Sequence, residues 1–193
     1  MKITISGTSA SGKSSVARIV AKKLGLKHYS MGDMQRELAK ELGVDIVELG
    51  KLEAKDKRYD LMQDEKLRKL GEENDFVIDT WLGAKFVPQA LNVFIDADID
   101  VRAKRRLSHR REGDSHESLD MVKKNILERE KDNRERWIRY YGFDFSDKAY
   151  YDLVIDSTNL SIEEVTDKII ERAKAETLNI RRVSTESTAS GKK

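Results

Sequence analysis

The stretch "MKITISGTSASGKSS", residues 1–15, decides the fold, and its centre is "GTSASGKS", Gly7–Ser14. A glycine, four variable residues and Gly-Lys-Ser match G-x-x-x-x-G-K-[ST], a loop that wraps phosphate groups. The spacing has a physical reason. Gly7 and Gly12 let the backbone curl, so that N–H groups along Thr8, Ser9, Ala10, Ser11 and on to Ser15 turn inward on anionic oxygens. Lys13 brings a point charge to the β- and γ-phosphates, and the Ser14 hydroxyl is a ligand for Mg²⁺. Such a loop works between a buried strand and a helix, because the helix N-terminus adds positive field. Both flanks comply. "KITIS" is rich in β-branched residues and runs straight into Gly7, while "SVARIVAKKLG" places Val16, Ile19, Val20 and Leu24 at helical spacing and stops at Gly25. The loop is expected to hold a nucleoside triphosphate.

At 193 residues the chain is long enough for one α/β domain with a small insertion. Thirty-seven Lys and Arg stand against 35 Asp and Glu, a net charge of +2 that gives no electrostatic reason to expect a nucleic-acid partner. No apolar run approaches the ~20 residues that cross a bilayer. The first strand begins at once, so no signal peptide is expected and the reading is of a cytoplasmic protein. Cysteine is absent, which excludes disulfides and zinc–thiolate sites.

Further strands are expected at Lys27–Ser30, at "DFVIDTWLG" ending at Asp79, at "ALNVFIDADID" ending at Asp96, and at "YDLVIDSTN". Between them lie a turn at Gly32-Asp33 leading into a helix, a charged helical stretch from Asp45 to Glu73, a basic helix over 101–115, and a long helix from about Ser118 to Tyr141. Ser161 and Glu164 have capping-box spacing and open a last helix. The stretch from 181 to 193 is polar, unpatterned and expected to be disordered. Strands alternating with helices imply a parallel sheet covered on both faces, with ligands at the carboxyl ends of the strands. Gly7, Asp79 and Asp96 lie at such ends.

No Asn/Thr-Lys-x-Asp segment argues for a GTPase, and no Leu-Ser-Gly-Gly-Gln for a transporter ATPase. The chain resembles the nucleoside monophosphate kinases, and most closely the archaeal-type cytidylate kinases, from Lys2 to about Lys174. Four segments carry the resemblance: the P-loop "GTSASGKSS", the turn and helix "SMGDMQRELAKELG", the arginine-bearing "RRLSHRREG", and "LEREKDNRERWIRYYGFDFSD" followed by "YDLVIDST". It implies a P-loop NTPase fold over residues 1–180. An acceptor-binding helical insertion would span about 33–74, and a short lid about 102–117. The implied reaction is phosphoryl transfer from ATP, with Mg²⁺, to CMP or dCMP by a monomer. Adenylate as acceptor, or an adenylate-kinase-like ATPase switch in macromolecular assembly, are the alternatives.

By the same resemblance Asp33 and Arg36 lie at the acceptor nucleotide, Arg106 and Arg110 are lid arginines on the transferring phosphoryl group, and Arg129 and Arg136 point into the cleft between donor and acceptor. Arg129 and Arg136 are two helical turns apart, ~10 Å along one face. Asp33 is also a candidate helix cap. Asp79, ending a strand beside the loop, is placed to orient Mg²⁺ with Ser14. The family carries Gly-Arg-Leu-Ala-Gly after its middle strand, where this chain reads "DTWLGAK". Trp81 replaces the arginine, so either Lys85 supplies the missing charge or Trp81 stacks on the acceptor base. Lys85 is preferred, because a dianionic phosphate needs charge compensation. Arg102, Arg105 and Arg111 read as a solvated face. Trp137, Tyr140 and Tyr141 read as packing residues, and Asp96, Asp98 and Asp100 as turn and cap residues. No general base is required, since the second pKa of a phosphomonoester is about 6.

Overall fold

The computed structural model describes residues 1–108 and 118–190, with Val47, Thr177 and residues 179–190 by backbone alone. Strand β1 (Lys2–Gly7) leads through the loop into helix α1 (Lys13–Leu24), and β2 (Lys27–Ser30) follows. Three helices come next: α2 (Met31–Glu41), α3 (Ile46–Lys55) and α4 (Lys57–Glu72). Then come β3 (Phe76–Asp79), a short α5 (Gly83–Phe86), β4 (Leu91–Asp96), α6 (Ile99–Ser108) and α7 (Leu119–Tyr141). Strand β5 (Leu153–Asp156) and α8 (Ile162–Ser190) complete the chain. All strand pairings are parallel, in the order β2-β3-β1-β4-β5. The P-loop strand therefore sits in the middle, and the chain crosses from one half of the sheet to the other beside it. That crossover opens the crevice in which ligands of such sheets bind.

Burial on both faces explains the apolar composition of the strands. On one face Ile3, Ile5, Val93 and Ile95 pack against Val16 and Val20 of α1 and Val165 and Ile169 of α8. On the other, Phe76, Ile78 and Phe94 meet Leu67, Trp137, Phe143 and Phe145. Strand β1 also buries polar side chains, and each has a partner: Thr4 Oγ1 donates to Asn92 Oδ1 and Ser6 Oγ to the Thr80 carbonyl.

Helix boundaries follow local chemistry, with some departures from expectation. Ser161 and Glu164 form the expected reciprocal capping box, at 2.8 and 3.2 Å. Ser118 caps α7 through Met121 N–H, and Gly142 ends it in the left-handed region at φ 60°. Gly32 and Asp33, expected in a turn, lie within the first turn of α2, because Ser30 supplies the cap by accepting from Asp33 N–H. The single helical stretch expected between 45 and 73 is two helices, divided at Asp56, whose side chain caps α4. Helix α8 runs on to Ser190, through most of the stretch expected to lack structure, while residues 191–193 lie outside the described residues. Most of the expected lid, residues 109–117 with Arg110 and Arg111, also lies outside them. No helix among the described residues is long and apolar enough to cross a membrane.

Candidate active site

Geometry explains why glycine occupies the ends of the loop. Gly7 has φ 147°, and a Cβ there would sit 2.1 Å from the Ile95 carbonyl oxygen of β4. Gly12 has φ 98° and hands the chain to α1. Ala10 takes φ 62° without being a glycine, a strained conformation held by the structure around the loop. The hydroxyls of Ser9 and Ser11 are buried with no hydrogen-bond partner among the described residues, as befits a loop built to surround a polar ligand. Lys13 Nζ donates to the Thr8 carbonyl at 3.2 Å, reaching back over its own loop.

Three elements anchor the loop from outside. Thr8 Oγ1 donates to Asp96 Oδ1 at 3.0 Å, which gives the end of β4 a hold on the loop's first residue. Ser9 N–H donates to Glu130 Oε1 of α7 at 2.6 Å. Arg102 of α6 donates to the same oxygen at 2.7 Å and to the Ser9 carbonyl at 3.3 Å. Arg105 donates to the Ser11 carbonyl at 3.1 Å and to the Ser157 carbonyl at 2.7 Å. The solvated face expected for Arg102 and Arg105 is therefore corrected: Arg102 is 6% exposed, and both guanidiniums brace the loop. The several N–H donors of a guanidinium let Arg105 reach the Ser11 and Ser157 carbonyls at once.

Asp79 and Ser14 meet as expected. The Ser14 hydroxyl donates to Asp79 Oδ2 at 2.7 Å, Ser30 Oγ donates to the same oxygen at 3.0 Å, and His28 Nε2 lies 2.9 Å from Oδ1. Serine and aspartate present oxygens only, the donor set of a hard cation such as Mg²⁺. The residues fit the ion.

Cations gather opposite the loop. The Arg129 guanidinium lies in a cleft open to water but walled by protein. Partial desolvation pulls it below the usual arginine range, helped by the nearby charges of Arg106, Arg36 and Arg136 and opposed by Glu53. Arg129 Cζ lies 5.2 Å from the centroid of the Trp81 ring, and Lys13 Nζ lies 5.1 Å from the same centroid. Burial pushes the Lys13 ammonium down to about 8, opposed by Asp79 and reinforced by Arg129. Lys13 of the loop and arginines of three helices, α2, α6 and α7, thus converge.

The remaining candidates are placed less uniformly. Arg36 is exposed and paired with Asp33 on the same helix, so Asp33 is a side-chain partner and not the cap of α2. Arg136 is 5% exposed, with Nη2 3.1 Å from Glu53 and Nε 3.4 Å from Asp60. Glu53 also accepts from the Gln35 and Gln63 side chains. Burial, partly offset by Arg136, pushes the Asp60 carboxyl up to about 6. Lys85 is exposed and donates to the Tyr141 carbonyl at 3.2 Å, at the C-terminal end of α7. Trp81 is half-buried: its Nε1–H donates to the Gly7 carbonyl at 2.5 Å, and its ring packs on Trp137 and Phe145. Trp137 and Tyr141 are packing residues, as expected. Asp98 accepts from Asp100 N–H at the start of α6.

Sequence reasoning missed Arg102, Arg105, Glu130 and Glu53. A hint existed in Arg102, one helical turn before Arg106, but nothing local distinguishes a bracing arginine from a solvated one.

Comparison with known proteins identifies the family. A cytidylate kinase of Sulfolobus acidocaldarius is 40% identical over 173 residues, 88% of this chain and 92% of that protein. One of Sulfurisphaera tokodaii is 35% identical over 89% of this chain and 93% of its own length. Among solved structures, shikimate kinase from Bacteroides thetaiotaomicron superposes with a TM-score of 0.63 at 14% identity, covering 90% of this chain and 98% of that one, and so shares the fold. Residues 2–159 match the sequence pattern of the cytidylate kinase-like family. With a phosphate loop on one side of the crevice and clustered arginines on the other, the chain belongs to the cytidylate kinase-like family.

Proposed function

We propose that the protein transfers the γ-phosphoryl group of ATP to CMP or dCMP. The observation that carries this reading is the meeting of Lys13 and Arg129 over one ring, with Arg36, Arg106 and Arg136 around Arg129. A site for one anion needs the loop alone, whereas a site for two needs cations facing it. The relatives named cytidylate kinase support the choice of acceptor.

Each residue then has a task. The amides of residues 7–15 surround the β- and γ-phosphates, and Lys13 leaves Thr8 to stand on the transferring group. Ser14 and Asp79 would hold Mg²⁺, which would supply positive charge to offset that of the donor phosphates. Arg36, paired with Asp33 at the acceptor side, and Arg129 hold the monophosphate. Arg106, with Arg110 in the expected lid, offsets charge that develops on the equatorial oxygens. Arg136 keeps α7 docked on the insertion through Glu53 and Asp60, and adds positive potential to the cleft. An oxygen of the acceptor phosphate attacks the γ-phosphorus, the bond to the β–γ bridging oxygen breaks, and ADP leaves. The attacking oxygen is already deprotonated near neutral pH, so no general base is needed. We read the enzyme as a cytoplasmic monomer working on small nucleotides.

Initial rates with CMP, dCMP, UMP and AMP at one ATP concentration test this. Fastest turnover with CMP or dCMP is expected. Faster turnover with AMP would make the protein an adenylate kinase, and ATP hydrolysis indifferent to every monophosphate would point to an ATPase switch.

A further inference from the structure

Trp81 touches the loop, the core and two of the clustered cations. Its indole N–H binds the Gly7 carbonyl, so the ring is fixed to the first residue of the loop. Trp137 and Phe145 pack against it with centroids 5.4 and 5.5 Å away, which pins its orientation. Upon this fixed ring lie two cations, Lys13 Nζ at 5.1 Å and Arg129 Cζ at 5.2 Å from the centroid. These distances fall within the range where the negative face of an indole attracts a cation, and tryptophan is the strongest of the aromatic side chains in this respect.

The two cations repel one another, since each lies within the other's electrostatic reach. Before nucleotides arrive, something must hold both at the future position of the transferring phosphoryl group. A carboxylate there would attract them but would repel the phosphates that follow. A neutral π face attracts the cations and carries no net charge to oppose the substrates. Its apolar body also excludes water from beneath the lysine, and cations in such a setting act more strongly on a developing charge.

We infer that Trp81 is a positioning residue for phosphoryl transfer, whose ring face holds Lys13 and Arg129 together at the reacting phosphate. It neither stacks on the acceptor base nor merely fills space. The inference rests on the kinase reading above. A role exerted through two groups at the reacting centre affects turnover more than the binding of either nucleotide.

The decisive experiment keeps the shape of the ring and changes its electrostatics. Tryptophans bearing one, two and three fluorine atoms are introduced at position 81 by codon suppression, leaving Trp137 natural, and kcat and both KM values are measured with ATP and CMP. A stepwise fall in kcat, about tenfold across the series, with either KM changing less than threefold, is expected. A flat series from a wild-type enzyme that phosphorylates CMP overturns the inference and leaves the kinase reading intact. A wild-type enzyme with no CMP-dependent ADP formation overturns the kinase reading itself. Two variants add a second measurement. Trp81→Leu should lose more kcat than Trp81→Phe, which keeps a smaller face but also lacks the N–H to Gly7. Equal losses in the two would assign the effect to that hydrogen bond and overturn the role of the face. If Trp81→Leu does not fold, the fluorinated series decides alone.

Discussion

On the proposed reading, the phosphate loop and the cleft opposite would grip anions by different means. Residues 7–14 use backbone: curled amides at the mouth of α1, with one lysine and one hydroxyl as accessories. The opposing side would use side chains, brought by α2, α6 and α7 from positions up to a hundred residues apart. A backbone site needs few side chains, because the curl of the loop itself would bring amides to an anion once contacts such as Ser9 N–H to Glu130 are released. A side-chain site is only as good as the contacts that hold its arginines. That explains the secondary partners on this side: Asp33 on Arg36, Glu53 and Asp60 on Arg136, Trp81 on Arg129. Helix α7 serves both, with Glu130 on the loop and Arg136 on the insertion.

This contrast can be broken in order of size. Lys13→Ala removes the one charged side chain of the loop next to the transferring group. We expect kcat to fall by about a hundredfold or more, since such stabilisation is commonly ~3 kcal/mol. Full turnover from the purified, folded variant would detach this loop from the chemistry.

Arg36→Ala tests the side-chain half. Loss of a charge-assisted hydrogen bond, ~1.5 kcal/mol, should raise KM for CMP about tenfold. ATP affinity measured by calorimetry without acceptor should stay within twofold. An equal loss of ATP affinity would show that the two halves are not separable.

The loop should also have a pH signature. Free Lys13 is held at about 8 by burial, and bound triphosphate favours its charged form, so its pKa in the complex lies higher. Below pH 8 the lysine is protonated in both states and contributes no pH dependence. Above pH 8 the complex must take up a proton, and ATP affinity should fall severalfold between pH 8 and 9. Calorimetry at pH 8.5 in buffers of different ionisation enthalpy should register that uptake. Affinity that stays level from pH 7 to 9.5 would mean Lys13 does not meet the phosphates.

The smallest effect is expected from Lys85→Ala. The ammonium is exposed and occupied with the Tyr141 carbonyl, away from the arginine cluster around Arg129. KM for CMP should change less than twofold in steady-state assays. A tenfold rise would return this lysine to the acceptor phosphate and weaken the division of labour drawn above.

How much was legible in advance follows the same division. The loop could be read because its chemistry is contiguous: eight residues carry the glycines, the lysine and the hydroxyl in fixed order. Strand β3 ending at Asp79 was equally plain, being a short apolar run with a carboxylate at its end. Arg102 and Arg105 could not be read, since a basic helix looks the same whether its arginines face water or the Ser9 and Ser11 carbonyls. Glu130 reads as one of many charges on a charged helix, and only the crossing of α7 over the loop brings it 2.6 Å from Ser9 N–H. Trp81 was visible as an oddity, but its partners lie 68 residues before it and 48 after.

The amino-acid sequence by itself determined the parallel α/β layering, the nucleotide loop and the limits of most elements, because these depend on local periodicity, glycine freedom and capping. Only the tertiary structure decided which arginines brace the loop and which gather across the cleft from it, that Arg136 is buried between two carboxylates, and that Trp81 lies beneath two cations. Those outcomes depend on where separate helices cross the sheet. The direction of a charged side chain is set by the partners it finds there, and the sequence around it does not name them.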